Sequence, residues 1–258
     1  MTLSSPLVVA QLTDTHLFAD ADQTLKGYST VRSFQAVVDS LEQLQPQPDL
    51  LLLTGDLSQD ETIASYHQLR SRIMPLGIPA YWIPGNHDQS PADMAQMLSD
   101  APLSPQKSFQ AGGWQFILLN SMLHQQVHGA LSDEALQQLD QQLQATHLPT
   151  LVALHHPPLA IASAWMDAIG LQNREALFAV IDRHPQVKLV VFGHIHQEFD
   201  RVRQGVRYLG APSTCMQFSP NVEEFTLDTE RSPGFRLLSL YPDGQFETRV
   251  QRIAAQKF

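Results

Sequence analysis

Five short, mostly apolar segments of this chain are each followed within three residues by aspartate, asparagine or histidine, and this repeated arrangement limits the fold more than any other feature. The segments are residues 7–12, 50–53, 80–83, 151–154 and 187–192. Apolar runs of this length are typical of strands that are buried on both faces. Binding sites in open α/β sheets lie at the carboxyl ends of the strands. We therefore expect the five segment ends to form one site.

The residues that follow these strands are of the types that bind metal ions. They are Asp14 and His16 after the first strand, Asp56 after the second, Asn86 and His87 after the third, His155 and His156 after the fourth, and His194 and His196 after the fifth. Either of the two aspartates alone is typical of a helix cap or an Asx turn. Six of the eleven histidines fall in these blocks, however, and burying such groups is costly unless they are paired or coordinated. The joint pattern therefore predicts a metal site.

The chemistry of these donors indicates which metals are expected. All of them offer oxygen or nitrogen atoms, which favours zinc, manganese, iron or cobalt over soft-metal or iron–sulfur chemistry. Even seven ligands out of these nine candidates are too many for one tetrahedral zinc ion, but they suit two ions that share a carboxylate. Two such ions, about 3.5–4 Å apart, clamp a phosphoryl group and activate a water molecule as the nucleophile. Two divalent ions outweigh two aspartates in charge, so the site is predicted to bind an anionic phosphoester.

Helical periodicity and turn signals alternate with the strands. Apolar residues recur at helical spacing over residues 31–44, 62–74, 136–143 and 174–184, and hairpins are predicted around residues 112–113, 204–205 and 243–244. We expect residues 1–258 to form a single α/β domain with a mixed sheet or two stacked sheets. Residues 211–234 are predicted to be a long, polar loop over or beside the site, and residues 235–258 a C-terminal hairpin.

Charge and composition exclude several classes of function. The formal net charge is −10, so the chain is a poor candidate for gripping a nucleic-acid backbone. The longest apolar runs are far shorter than a bilayer span and residues 1–6 do not resemble a signal peptide, so no membrane partner is expected. Cys215 is the single cysteine, which excludes an intrachain disulfide and fits a cytoplasmic location. We interpret Cys215 as a small packed residue rather than a nucleophile, because no basic group flanks it.

The order and spacing of the strand-end blocks resemble a known family. Asp14-x-His16, Gly55-Asp56, Gly85-Asn86-His87-Asp88, His155-x-Pro157 and Gly193-His194-x-His196 are similar to the motifs of the calcineurin-like metallophosphoesterase superfamily. Residues 13–17, 193–198 and 212–215 extend the similarity to the bacterial class III cyclic nucleotide phosphodiesterases. The resemblance implies a four-layer α/β/β/α sandwich, in which two mixed β-sheets are flanked by helices.

The resemblance also implies a role for each residue. One metal takes Asp14, His16, Asp56 and His196, and the other takes Asp56, Asn86, His155 and His194, so that Asp56 bridges the two. His87 is the catalytic residue near the phosphate, and the residues that contact the substrate are Asn86, His87 and His196. The family's ligand histidine stands two residues before a proline, and both His155 (before Pro157) and His156 (before Pro158) satisfy this spacing. We prefer His155 as the ligand and expect His156 to lie behind it. Because two residues of a strand advance about 6.6 Å, His194 and His196 suit neighbouring ions.

The function implied is hydrolysis of a 3′,5′-cyclic nucleotide to the 5′-nucleotide, and cyclic AMP is the first candidate substrate. The nucleophile implied is a hydroxide that bridges two divalent ions (iron, manganese or zinc). A broader phosphodiesterase or phosphomonoesterase is the first alternative, because a dimetal site recognises the phosphoryl group and not the base. A non-enzymatic scaffold on the same fold is the second, and the complete ligand set argues against it. The partner expected is therefore a small cyclic nucleotide, and a homodimer is left open.

Overall fold

The computed structural model describes residues 5–254 of the chain. Its strands are β1 (Leu7–Leu12), β2 (Thr24–Leu25), β3 (Tyr28–Ser29), β4 (Leu50–Thr54), β5 (Ala80–Ile83), β6 (Leu103–Ser104), β7 (Ser108–Ala111), β8 (Trp114–Leu118), β9 (Thr150–Leu154), β10 (Val187–Phe192), β11 (Phe199–Arg203), β12 (Val206–Gly210), β13 (Gln217–Phe218), β14 (Leu227–Asp228), β15 (Gly234–Leu240) and β16 (Phe246–Arg252). Its helices are α1 (Thr30–Glu42), α2 (Ile63–Ile73), α3 (Pro91–Met97), α4 (Asp133–Gln144), α5 (Ala164–Asp167) and α6 (Arg174–Ile181), and a 3₁₀ turn at Met74–Leu76 follows α2.

Most strands belong to two six-stranded mixed sheets. The first has the order β16-β15-β1-β4-β5-β6, in which β1, β4, β5 and β6 run parallel and β15 joins antiparallel. The second has the order β11-β12-β10-β9-β8-β7, in which the four central strands run parallel and both edge strands are antiparallel. The predicted pair of mixed sheets is confirmed.

Successive side chains of a strand point to opposite faces of its sheet, and both faces of each sheet are buried. On β1, Val9 belongs to the apolar cluster between the sheets, whereas Ala10 packs in the cluster that contains Phe34 of α1. On β4, Leu52 belongs to the cluster between the sheets, and Leu51 belongs to the cluster that contains Phe34. A third cluster lies on the outer face of the second sheet, against α4 and α6. The predicted α/β/β/α layering is therefore confirmed, and it follows from central strands that are apolar at nearly every position.

The predicted helices and hairpins are present with small shifts at their ends. Helix α1 begins after Ser29, whose side chain accepts a hydrogen bond from the Arg32 amide, and α2 begins after Thr62 in the same way. Helix α6 ends at Ile181, three residues before its predicted end. Within residues 5–254, no helix has both the length and the apolar character needed to cross a membrane.

The prediction for residues 211–234 is wrong in part. Residues 211–218 are buried instead of forming a polar surface loop, and Thr214 donates from its amide to the Thr13 carbonyl at 3.1 Å. Strands β13 and β14 pair antiparallel within the segment. The C-terminal hairpin is confirmed as β15 and β16, while residues 255–258 of the predicted range lie outside the described residues, as do residues 1–4. The single domain over 1–258 stays a prediction.

Candidate metal centre

The carboxyl ends of β1, β4, β5, β9 and β10 meet at one edge of the two sheets. The Asp14 amide donates to the Gly55 carbonyl at 2.9 Å, which joins the first two strand ends. The Gly193 amide donates to the His155 carbonyl at 3.1 Å in the second sheet. The His194 amide donates to Asp14 Oδ2 at 3.0 Å and so ties one sheet to the other. All seven residues predicted as ligands, together with His87, are brought to this edge.

A first group of donors forms around Asp14. Asp14, His16 and His196 each place one ligand atom within 4.8 Å of the others. His16 Nε2 lies 3.0 Å from His196 Nε2, and Asp14 Oδ1 lies 3.3 Å from the same nitrogen. His196 donates from Nδ1 to the Met216 carbonyl at 3.0 Å, which fixes the ring and leaves Nε2 free to coordinate.

A second group forms around His155. Asp56 Oδ2 lies 3.4 Å from His155 Nε2, and His194 Nδ1 lies 3.2 Å from that same nitrogen. The Thr54 carbonyl accepts from His155 Nδ1 at 2.8 Å, so His155 Nε2 faces the site. Asp56 Oδ2 is also 3.7 Å from His16 Nε2 of the first group. A single carboxylate oxygen therefore lies between the two groups.

The donors fit two divalent ions. Ligands about 2.0–2.1 Å from a tetrahedral ion are separated from one another by about 3.3 Å, which is close to the spacings in both groups. The Asn86 side-chain oxygen and His194 Nε2 are buried, and neither has a hydrogen-bond partner among residues 5–254. Buried polar atoms without partners are unfavourable, and a bound cation satisfies an oxygen donor such as that of Asn86.

The protonation states of His16 and Asp56 favour cation binding, whereas His155 has to lose a proton first. Burial lowers the pKa of His16 to about 3, so this imidazole is neutral and has a lone pair to offer. Burial also tends to lower the pKa of His155, but the adjacent Asp56 carboxylate outweighs it and raises the pKa to about 9. Burial tends to raise the pKa of Asp56, and His155 in turn holds that pKa well below its usual range. The Asp56 carboxylate is therefore charged, and a cation competes with a proton for His155.

The hydrogen bonds of His156 distinguish it from His155. His156 also lies within 4.8 Å of His155 and His194 donors, so proximity alone does not separate the two histidines. Both of its ring nitrogens are engaged, Nδ1 with Ser121 Oγ at 2.8 Å and Nε2 with the Val127 carbonyl at 3.1 Å. This geometry favours His155 as the ligand and His156 as its packed neighbour.

His87 lies beside the donors, with its ring oriented by Gln59. The Gln59 side-chain nitrogen is 3.1 Å from His87 Nδ1, and the His87 amide donates to Asp56 Oδ1 at 2.9 Å. The Gln59 side-chain amide therefore engages Nδ1 and leaves Nε2 as the ring nitrogen available to a ligand. A residue that protonates a leaving oxygen gives up its proton from the imidazolium, because a neutral imidazole would be left as an imidazolate.

The backbone at the strand ends is strained. Asp14, His16, Asp56, His194 and His196 have φ angles of 55°, 47°, 51°, 69° and 48°, in the left-handed region that non-glycine residues seldom adopt. Such residues cluster at functional sites, where the surrounding structure holds them. Close packing is part of that support, because a Cβ on Gly193 would lie 2.1 Å from Thr13 Oγ1.

Asp88 is a buried residue whose structural role the sequence did not reveal. Its carboxylate accepts from the amides of Leu57, Ser58 and Gly85 and from the Tyr66 hydroxyl, so it links the loops that carry Asp56 and Asn86. Its place in the Gly-Asn-His-Asp block was the only available signal. Cys215 is fully buried and burial raises the pKa of its thiol to about 12, which confirms the packed residue expected there.

An apolar wall beside the donors was also not predicted. A cleft of about 300 Å³ is lined by the donor-bearing residues His16, Asp56, Asn86, His87, His194 and His196, and also by the apolar residues Leu25, Val127, Trp165, Ile169, Phe218 and Phe225, which form the apolar wall. These apolar residues come from distant parts of the chain, including the β2–β3 ribbon, α5 and the β13–β14 segment. No local spacing in the sequence joins them.

Comparison with known proteins places the chain among phosphoesterases. The sequence profile described as Calcineurin-like phosphoesterase matches residues 7–198. A 3′,5′-cyclic-nucleotide phosphodiesterase of Nostoc sp. is 53% identical, covering 96% of this chain and 93% of its own. The 3′,5′-cyclic adenosine monophosphate phosphodiesterase CpdA of Vibrio vulnificus is 42% identical over 100% of this chain and 94% of its own. A dimetal phosphatase of Danio rerio has a similar fold, with a TM-score of 0.69, 13% identity and coverage of 97% and 100%.

Proposed function

Because this chain belongs to the calcineurin-like phosphoesterase family, we propose that it hydrolyses 3′,5′-cyclic nucleotides, with cyclic AMP as substrate and the 5′-nucleotide as product. The observation that carries the proposal is the position of Asp56 Oδ2, 3.7 Å from His16 Nε2 and 3.4 Å from His155 Nε2. One carboxylate oxygen shared by two donor groups is the arrangement that a bridged pair of ions requires.

The names of the relatives support the substrate. The Nostoc protein is described as a 3′,5′-cyclic-nucleotide phosphodiesterase and the Vibrio vulnificus protein as a cyclic adenosine monophosphate phosphodiesterase, and both align over nearly all of this chain. A cleft of about 300 Å³ is at the small end of the range for ligand pockets, which suits a mononucleotide. The expected cytoplasmic location and the lack of a nucleic-acid partner stay predictions, and the homodimer stays open.

The metal ions proposed for the site are two divalent cations, with iron, manganese and zinc as candidates. Asp14, His16, Asp56 and His196 would hold one, and Asp56, Asn86, His155 and His194 the other. When bound, such a pair neutralises the phosphate charge and lowers the pKa of a coordinated water. The Nδ1 hydrogen bonds of His155 and His196 to backbone carbonyls hold both rings in place for this purpose.

The chain's own residues would then position and protonate the substrate. Gln59 engages His87 Nδ1, and the His87 imidazolium would deliver its Nε2 proton to the 3′ oxygen as the bond to phosphorus breaks, which leaves the neutral ring. Asn86 and His196, which line the same cleft, would contact the phosphate. The buried carboxylates of Asp14 and Asp56 would repel an anionic substrate by themselves, so substrate binding is expected only with the cations present.

A comparison of rates tests the proposal. Hydrolysis of 3′,5′-cyclic AMP, 3′,5′-cyclic GMP, 2′,3′-cyclic AMP, a linear aryl diester and an aryl monoester would be measured with manganese, iron and zinc in turn. We expect 3′,5′-cyclic AMP to give the highest kcat/KM, and Asp56→Asn to abolish turnover while the exposed control Asp39→Asn does not. A preference for the linear diester by orders of magnitude would instead support the broader phosphodiesterase, and a metal-free, inactive protein would support the scaffold.

A further inference from the structure

The apolar wall of the cleft contains a connected set of aromatic rings that reaches a proposed metal ligand. The Phe218 ring stacks on the His196 imidazole, with centroids 4.1 Å apart and planes 9° from parallel. The Trp165 ring packs edge to face against both Phe218 and Phe225, with ring centroids 5.1 Å and 5.2 Å apart, respectively. Aromatic surface therefore continues from the donors to the mouth of the cleft.

Backbone hydrogen bonds hold this wall together. The Trp165 amide of α5 donates to the Glu223 carbonyl at 3.2 Å, and the Ala164 amide donates to the Val222 carbonyl at 3.2 Å. The segment that carries Phe225 is closed on itself by the Ser219 amide, which donates to the Thr226 carbonyl at 2.9 Å. The rings are thus presented by fixed backbone, as a preorganised binding surface requires.

The outer part of the wall is exposed although it is apolar. Phe225 is 46% exposed and Val127 is 52% exposed, and both line the same cleft as the metal donors. The Lys26 ammonium also lines the cleft and lies over the Phe225 ring, 5.5 Å from its centre, so a base that stacks on this face has to displace the lysine side chain. Exposed apolar surface that is continuous with a polar site is typical of a ligand subsite.

We propose that this wall is the nucleobase subsite, in which the Phe225 ring, supported by Trp165, stacks on the purine of the nucleotide whose phosphate lies at the metal centre. The inference rests on the proposed function for the identity of the ligand. Base–aromatic stacking tolerates different bases, because each base has a π-face. Phe225 and Trp165 therefore supply affinity for the nucleoside, whereas the donors act on the phosphoryl group.

Binding of adenosine to the manganese-loaded protein tests the subsite without turnover. Trp82 and Trp114 are fully buried, so Trp165 is the tryptophan of the described chain that lines the cleft and reports on it. We expect adenosine to quench tryptophan emission excited at a wavelength that adenosine does not absorb, and Trp165→Phe to abolish the signal. Phe225→Ala should raise the Kd about 5- to 150-fold, the range for loss of one base–aromatic stack. Val202→Ala is the matched control, because Val202 is 68% exposed and lies outside the cleft.

Kinetics separate the subsite from the proposed reaction. Phe225→Ala should raise the KM for cyclic AMP by a similar factor with kcat little changed, and should leave hydrolysis of ribose 3′,5′-cyclic phosphate, which lacks the base, as it is in the wild type. A Kd for adenosine and a KM for cyclic AMP that are both unchanged in Phe225→Ala would overturn the subsite while leaving the phosphodiesterase activity intact. Adenosine binding that depends on Phe225 in a protein that does not turn over cyclic AMP would support the subsite and refute the reaction.

Discussion

Replacement of Gln59 by leucine removes one hydrogen bond while keeping a side chain of similar size. The bond joins the Gln59 amide nitrogen to His87 Nδ1 at 3.1 Å. It holds the ring in one orientation, so that Nε2 is the nitrogen from which the imidazolium is proposed to protonate the leaving 3′ oxygen. Without the bond, other ring orientations become accessible, so the productive orientation is less populated.

The strength of this one hydrogen bond sets the expected loss of kcat in Gln59→Leu. A neutral hydrogen bond contributes about 0.5–1.5 kcal/mol, which corresponds to about 2- to 13-fold in kcat when the bond selects the reactive arrangement. Loss of the acid itself in His87→Ala removes general acid catalysis, and that should lower kcat about 10²- to 10⁴-fold. Gln59→Leu should therefore be clearly milder than His87→Ala, with KM little changed.

The assay compares two leaving groups. The alkoxide released from cyclic AMP needs a proton, whereas p-nitrophenolate released from bis(p-nitrophenyl) phosphate leaves without one. We expect Gln59→Leu to lower kcat for cyclic AMP and to leave kcat for the aryl diester within about 2-fold, with the exposed Gln35→Leu as control. Equal losses on both substrates, or no loss on cyclic AMP, would refute the orienting role of Gln59.

Three other predictions follow from the geometry. In elemental analysis, His194→Ala and His196→Ala should each retain one of the two metal equivalents, and the double variant should retain none. A double variant that retains one equivalent would show that both histidines bind the same ion. Gly193→Ala should lower the urea midpoint and the metal affinity, because its Cβ would lie 2.1 Å from Thr13 Oγ1 and overpacking costs about 1–3 kcal/mol; an unchanged midpoint would contradict the close packing. Burial lowers the pKa of Lys107 from 10.5 to about 7, so the unfolded chain binds more protons between those values, and the free energy of unfolding should rise with pH across that window. Lys107→Met should flatten this rise, and a rise of the same slope in the variant would assign it to another group.

The layered fold and the candidate donors were predictable because their signals are local. Each of the five strands is a short apolar run, and the chemistry of its end follows within a few residues. Asp14, Asp56 and Asn86 are therefore visible next to the strands that position them. The topology rule that brings parallel strand ends together then predicts their meeting without knowledge of the sheet order.

The features that were missed depend on contacts between distant residues. Ser121 and Val127 engage His156, and nothing near His156 in the sequence indicates those bonds. Strands β13 and β14 have two residues each, too few for a periodic pattern, so residues 211–234 were interpreted as a loop. The aromatic wall joins Trp165 to Phe225 across 60 positions of the chain, and only the folded structure places them together.

Titration of the metal-free protein with manganese tests the central claim most directly, when cyclic AMP hydrolysis and the electron paramagnetic resonance spectrum are followed together. With two ions bridged by Asp56, activity should appear with the second equivalent, together with the spectrum of an exchange-coupled pair. Asp56→Asn should lose both the coupling and the activity. Full activity at one equivalent, or two uncoupled ions in the active wild-type protein, would contradict the shared-carboxylate site.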